Sequence, residues 1–363
     1  MAYIAIVLAA FLAFSNGSND NGKGVATLVR LGDASLRRAL LWGTLSTIIG
    51  SLISFSFSSS LVEKFSGAVI DSKTPLSSAF FVAVLAAASA WVLLATRFGM
   101  PVSTTHSIVG AFIGAGLSGS FSVKWGVLVS KVAIPLAVSP LASLAIVYVA
   151  AFLLSPLLKP AASPACICAT VTAPAGVPGA GQVMLQVGHV ATCPAGSAVV
   201  TTSGISKGIH WFTSGLIGFA RGWNDTPKIA ALCLGSIALI SGQGRPMLAF
   251  ALVAVAMAAG GLVAGTRVLE TLALKVTAMP RNEAYLASAV AASLVSAASW
   301  GGLGVSTTHV ATGSIVGAGL KADPKKVQWK KVGELGLSWL ITLPAAALMA
   351  ALVGVLLRAM GQM

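Results

Sequence analysis

The chain has 363 residues, of which 56% are hydrophobic and only 9% charged, where a soluble domain carries about 25% charged residues. That balance excludes an ordinary soluble enzyme core and a disordered tail. The formal net charge of +14 does not point to nucleic acid, because no basic stripe alternates with aromatics.

Apolar runs approaching the ~20 residues that cross a hydrocarbon layer recur along the chain, for example at 79–95, 250–264 and 337–357. The basic residues lie between such runs, where positive-inside loops need them. In chain order the runs predict crossings near 2–30, 39–61, 78–96, 100–120 and 126–156, then near 208–234, 246–266, 284–300, 302–320 and 333–357. Residues 1–14 have no basic leader and pass straight into a polar motif, so they read as part of a crossing and not as a cleaved signal peptide. The stretch 157–207 is rich in Pro, Gly, Ala, Ser and Thr and reads as a mostly irregular cytoplasmic linker. It contains Cys166, Cys168, His189 and Cys193, whose spacing matches no standard zinc pattern. Reduced cytosolic thiols are expected there, and Cys233, in an apolar run, reads as packing.

Two polar motifs interrupt the greasy sequence, and each occurs twice. Asn19-Asp20-Asn21-Gly22-Lys23 returns as Asn224-Asp225-Thr226-Pro227-Lys228, and Val102-Ser103-Thr104-Thr105-His106 returns as Val305-Ser306-Thr307-Thr308-His309. The offsets nearly agree (19 to 224, 103 to 306), so the chain reads as a duplicated unit: a first repeat at 1–156, the linker at 157–207 and a second repeat at 208–363. Five crossings per repeat is an odd number, which predicts opposite orientations for the two repeats. With the N-terminus outside, fourteen basic residues fall in inner loops, Lys159 among them, and six in outer loops and tail, among them Lys64 and Lys73. The expected fold is therefore an all-α integral membrane protein of two inverted-topology repeats. The motif segments, broken by Gly, Asn or Pro, are expected to be interrupted or re-entrant helices near the midplane.

Of the nine acidic residues, seven fall in loops or at segment ends, and only Asp20 and Asp225 lie inside the repeated motif. A carboxylate there must be paired or bind a cation. The plain structural reading is a salt bridge at i, i+3, Asp20 with Lys23 and Asp225 with Lys228. The functional reading is that Asn19, Asp20, Asn224 and Asp225 serve a coupling ion, or hold Lys23 and Lys228 for an anion. Ser103, Thr104, Thr105, Ser306, Thr307 and Thr308 stand at two predicted helix starts, where hydroxyls, free N–H groups and the helix dipole together favour an oxyanion. The alternative is that they only cap helices. His106 and His309 read as groups that orient neighbouring backbone and hydroxyls. Arg221, three residues before Asn224, reaches either Asp225 or the substrate. No Walker-type phosphate loop is present, and Ser-Thr-Thr-His lacks an acid partner for hydrolysis, so neither an ATP-driven pump nor an enzyme is expected, and no cofactor.

These residues resemble the inorganic phosphate transporter (PiT / Pho-4) family. The resemblance rests on Asn16-Gly17-Ser18-Asn19-Asp20 with Thr27, on Gly222-Trp223-Asn224-Asp225, and on the two Val-Ser-Thr-Thr-His stretches. It implies a secondary phosphate transporter of the plasma membrane, coupled to Na⁺ or H⁺ and usually dimeric. It implies substrate and ion sites at Asn19, Asp20, Ser103, Thr104 and Thr105, with Asn224, Asp225, Ser306, Thr307 and Thr308. A permease for sulfate or another tetrahedral oxyanion is the alternative within the same fold, and an anion channel the alternative of another class. One departure stands out: Lys23 occupies a position where the family has Asn, so two ammonium groups stand where a bound sodium would.

Overall fold

The computed structural model describes residues 1–57, 62, 70–71, 76–119, 121–154, 165–172, 182–189, 198–241 and 245–362. Lys64, Lys73, Lys159 and Cys193 lie outside the described residues. The helices of the first half are α1 (Ala2–Arg30), α2 (Leu36–Phe57), α3 (Ser78–Arg97), α4 (Thr104–Ser118), the short α5 (Trp125–Leu128) and α6 (Ile134–Leu154). A π-turn at Val129–Ala133 joins α5 to α6, just ahead of Pro135, which has no N–H to continue the ladder. The second half holds α7 (Thr202–Ser241), α8 (Pro246–Ala264), the short α9 (Thr266–Leu274), α10 (Arg281–Trp300), α11 (Thr307–Ala322) and α12 (Trp329–Ala359). A helix stands at each of the ten predicted positions, the fifth divided between α5 and α6.

Six of them, α1, α2, α3, α6, α8 and α12, are long and apolar enough to cross a membrane. The outer surface carries Val7, Leu141, Val263 and Leu340, all largely exposed, while Asn16, Asn19, Asp20 and Asp225 are buried. Polar inside and greasy outside is the distribution a bilayer demands. This is a multi-pass membrane protein.

Packing repeats when the halves are exchanged. The pairs α1·α3, α3·α4, α4·α12, α2·α7 and α1·α2 have counterparts in α7·α10, α10·α11, α11·α6, α8·α1 and α7·α8. Small residues bring the helices together. A Cβ at Gly17 would strike the Met257 backbone and one at Gly260 that of Phe14, joining α1 to α8; Gly50 and Gly222 do the same for α2 and α7 against Phe219 and Thr47.

The motif helices differ from expectation in one respect. Both Asn-Asp motifs lie inside continuous helices, α1 of 29 residues and α7 of 40 residues with Pro227 inside. Their glycines make close helix contacts instead of breaks. The interruptions fall before Ser-Thr-Thr-His. There α3 and α10 end, the chain turns through Gly99 (φ +67°) and Gly302 (φ +64°), and α4 and α11 begin. At 15 and 16 residues, these helices rise only ~22–24 Å, short of a ~30 Å core. The α3–α4 unit is a hairpin, with Phe80 near the start of α3 5.7 Å from Phe112 late in α4.

The linker is more regular than its composition suggests. Strands β3 (Ala165–Thr172), β4 (Gln182–His189) and β5 (Ala198–Thr201) form an antiparallel sheet in the order β4-β3-β5. The pair β1 (Ile70–Asp71) and β2 (Ser122–Val123) forms a second, small one. In β3, Cys166 and Cys168 are buried while Ile167 between them is exposed, a period of two that marks a strand and that Cys-x-Cys disguised. Cys168 is disulfide-bonded, which departs from the expectation of reduced thiols; Cys233 is a buried free thiol.

Candidate functional site

The repeated motifs meet where α1, α7 and the first turns of α4 and α11 converge. Asp20, Lys23, Asp225 and Lys228 are 1%, 2%, 3% and 1% exposed. Each Lys is bound to the Asp three residues earlier on its own helix: Lys23 closely to Asp20, Lys228 Nζ to Asp225 Oδ1 at 3.3 Å. Each also donates to the carbonyl that precedes its own half's Ser-Thr-Thr-His, Val102 (3.0 Å) and Val305 (2.8 Å).

The third contact of each ammonium crosses between halves. Lys23 donates to Thr308 Oγ1, and Lys228 donates to Thr105 Oγ1 at 2.9 Å. Thr308 in turn donates to the Val102 carbonyl at 2.8 Å. The halves are thus cross-linked at two reciprocal points. The ammonium groups are fully engaged, as a buried cation must be.

The carboxylates also share partners. Asn16 Nδ2 lies 3.0 Å from Asp20 Oδ2, 2.9 Å from Thr104 Oγ1 and 3.4 Å from Asp225 Oδ2. Thr307 Oγ1 lies 3.5 Å from Asp20 Oδ2 and 3.4 Å from Asp225 Oδ2. Sequence reasoning left Asn16 out of the site. Its signal was positional, one helical turn before Asp20 on the same face.

The two asparagines serve the loops. Asn19 donates to Thr96 Oγ1 and to the Met100 carbonyl, both at 2.9 Å, and accepts from Val102 N at 3.0 Å. Asn224 donates to the Val305 carbonyl at 3.1 Å and to Asp225 Oδ1 at 2.8 Å, and accepts from Ser299 Oγ. Both amides pin the turn that starts the next motif.

Ser103 and Ser306 are N-caps, accepting from His106 N (3.2 Å) and His309 N (3.3 Å). The cap satisfies the third N–H of each helix, and helix geometry leaves the N–H groups of Thr104, Thr105, Thr307 and Thr308 without an intrahelical carbonyl. Two helix N-termini therefore face the cluster, each presenting partial positive charge. His106 and His309 pack ring to ring, with centroids 4.8 Å apart. His309 Nδ1 meets the Leu136 carbonyl at 3.0 Å and its ring lies 4.2 Å from that of Trp339. The pair borders a mostly apolar cavity of about 470 Å³, behind the hydroxyls and not among them.

A second polar group lies towards the end of α1. A cavity of about 10 Å³ touches Lys23, Thr27 and Ser288, room for about one water. Beyond it His210 bridges Thr27 Oγ1 and Asp33 Oδ2, both at 2.9 Å, and Arg281 closes on Asp33. Asp33 sits in the loop after α1. Burial pushes its carboxyl up, but hydrogen bonds from Arg281 and His210 outweigh that and hold it below the usual range. Nothing local in the sequence announces this clasp, whose members are 177 and 248 residues apart.

The chain is similar to known proteins over its whole length. Residues 16–350 match the model of the Phosphate transporter family. A Thermococcus kodakarensis protein bearing the name of a phosphate permease is 26% identical, over 99% of this chain and 98% of its own. A chloroplastic inorganic phosphate transporter of Arabidopsis thaliana is 27% identical, over 96% and 71%. A Rhizobium meliloti protein bearing the name of a low-affinity inorganic phosphate transporter is 28% identical, over 96% and 93%. Among solved structures, one described as the sodium-dependent phosphate transporter superposes with a TM-score of 0.79 at 22% identity, covering 99% of both chains, which establishes the shared fold. With a family match spanning both motif pairs, this chain belongs to the phosphate transporter family.

Proposed function

We propose that this chain is a secondary transporter that moves inorganic phosphate across the plasma membrane by alternating access. The observation that carries the reading is the reciprocal cross-link: each half's buried ammonium reaches the other half's helix-start threonine. Two lysines, four threonine hydroxyls and two helix N-termini form a donor set suited to a tetrahedral oxyanion. Asp20 and Asp225 supply acceptors, which favour protonated phosphate over sulfate, because sulfate has no proton to donate near neutral pH.

The unit that moves is taken to be the repeat, 1–156 against 208–363, with 157–207 as the joint. The exchangeable packing pairs and the excess of basic residues in the loops of one side support repeats of opposite orientation. The cluster is sealed on every side, as an occluded intermediate requires. A channel would need a continuous open polar pore, and here Asp20, Lys23, Asp225 and Lys228 are buried within the protein.

Coupling separates two readings. The structural neighbour is described as sodium-dependent. In this chain, however, Lys23 and Lys228 already hold ammonium groups against both carboxylates. Fixed cations at those positions replace the charge of a bound sodium, so we assign weakened or absent sodium coupling, with proton coupling or uniport in its place. The decisive measurement is uptake of radiolabelled phosphate, and separately sulfate, into proteoliposomes under a sodium gradient, a proton gradient or neither. Sodium-driven uptake that survives unchanged in Lys23→Asn removes the coupling assignment. Sulfate uptake without phosphate uptake removes the substrate. A homodimer is assigned from the family resemblance and is checked by light scattering of the purified protein.

A further inference from the structure

Helix α7 carries one buried charge that neither Asp–Lys pair uses. Arg221 is 2% exposed, and its Nε and Nη1 have no hydrogen-bond partner among the described residues. A guanidinium does not lose its proton inside a protein. It cannot escape burial by neutralising itself, and its open donors call for an anion.

Helical register says where the side chain lies. Arg221, Asp225 and Lys228 stand at i, i+4 and i+7, one face of α7. The same places on α1 hold Asn16, Asp20 and Lys23. Asn16 shows where that first position leads, because its amide reaches Asp20, Thr104 and Asp225 in the middle of the cluster. Arg221 is within electrostatic reach of Asp20 and Asp225, yet it bonds to neither among the described residues. When all are ionised, the three cations Lys23, Lys228 and Arg221 outnumber the two carboxylates by one. That excess suits an anion arriving between the halves.

We propose that Arg221 is a direct ligand of the transported oxyanion, donating hydrogen bonds from its guanidinium at the position where the first half offers only an amide. The site is then asymmetric: Asn16 ties the two carboxylates together from the α1 side, and Arg221 grips the substrate from the α7 side. This rests on the phosphate-transport reading above.

The test uses the full chain, with uptake of radiolabelled phosphate into proteoliposomes and the rise in melting temperature on adding inorganic phosphate. In Arg221→Gln, KM is expected to rise on the order of 10- to 100-fold, the loss typical of a charged hydrogen bond, and the phosphate-induced rise in melting temperature to disappear. Arg221→Lys keeps the charge without the fork and is expected to fall in between, with KM moving more than kcat. An Arg221→Gln protein with wild-type KM and an intact melting response would overturn the assignment. If Arg221→Gln does not fold, Arg221→Lys decides: an unchanged KM overturns the guanidinium contact and a raised one supports it. Wild-type protein that neither takes up phosphate nor is stabilised by it would remove the transport reading itself, a different failure from an active wild type with an indifferent Arg221→Gln.

Discussion

The first and second halves carry the same Asp–Lys pair at the same places and surround it differently. On α1 the stripe is Asn16, Asp20, Lys23; on α7 it is Arg221, Asp225, Lys228. Lys23 holds its Asp tightly, whereas Lys228 stands 3.3 Å from an Asp225 that also accepts from Asn224. One half therefore presents a closed ion pair and the other a looser pair beside a guanidinium whose Nε and Nη1 have no hydrogen-bond partner among the described residues. The frame is the same in both halves, two helices and two helix starts around a common centre. Asn16 on one side and Arg221 on the other is the place where the two stripes differ in charge.

The largest effect should come from opening an ion pair. Asp20→Asn leaves a buried ammonium without its carboxylate, a loss of about 3–5 kcal/mol, and Asp225→Asn does the same in the looser pair. Both should abolish phosphate uptake. The comparison is sharpened by melting temperature, which should fall further for Asp20→Asn than for Asp225→Asn; equal falls would mean the two pairs are equivalent after all.

Next comes the helix packing that the halves share. Gly17→Leu would drive a side chain of α1 into the backbone of α8, and Gly222→Leu one of α7 into α2. Overpacking of this kind costs about 1–3 kcal/mol. The two variants should lose similar amounts of folded protein on size-exclusion chromatography. A tolerated Gly222→Leu beside a failed Gly17→Leu would break the exchange symmetry of the frame.

How much of this was readable beforehand follows from the range of each interaction. Apolar runs and the doubled motifs are local, so the helices and the motif residues that converge at the centre could be placed from sequence, Asn16 excepted. Breaks in the Asn-Asp helices were expected because Gly and Asn are poor helix formers, yet in a buried helix Gly17 and Gly22 are the points of closest approach, and tertiary packing overrides propensity. The sheet of the linker was hidden because Cys166 and Cys168 were weighed as ligands and not as one face of a strand. The i, i+3 carboxylate partners of Lys23 and Lys228 were readable from their spacing, but their partners across the halves were not. Their threonines are 285 and 123 residues away, and only the fold brings Thr308 and Thr105 to them.

Those cross-links give a smaller effect. Thr308→Val and Thr105→Val each remove one acceptor from a buried ammonium that keeps two others, at about 1–3 kcal/mol. Phosphate uptake should fall in both. Because the contacts join the halves, the double variant should lose less than the sum of the singles if each bond holds the same closed state. Strict additivity in a double-mutant cycle would show the two points acting independently.

The smallest effect belongs to a feature that was never duplicated. Asp33 binds His210 and Arg281, tying the end of α1 to α7 and α10, and the matching place in the second half, Ala238, has no carboxylate. Arg281 is partly exposed, with 28% of its side chain accessible, so solvent screens that pair, and Asp33→Asn should cost about 1 kcal/mol. The pH dependence fixes the sign. Asp33 has a lowered pKa in the folded protein, so its contribution is present above the unfolded carboxylate value of about 3.9 and is lost as pH falls through the folded value. Melting curves of wild type and Asp33→Asn should therefore stay separated by a constant amount from neutral pH down to about pH 5 and converge below about pH 4. A gap that already widens as pH falls from 7 to 6 would place the control on His210 instead, whose protonation strengthens its pair with Asp33, and would make the clasp, unlike the paired centre, a group that tightens within the physiological range.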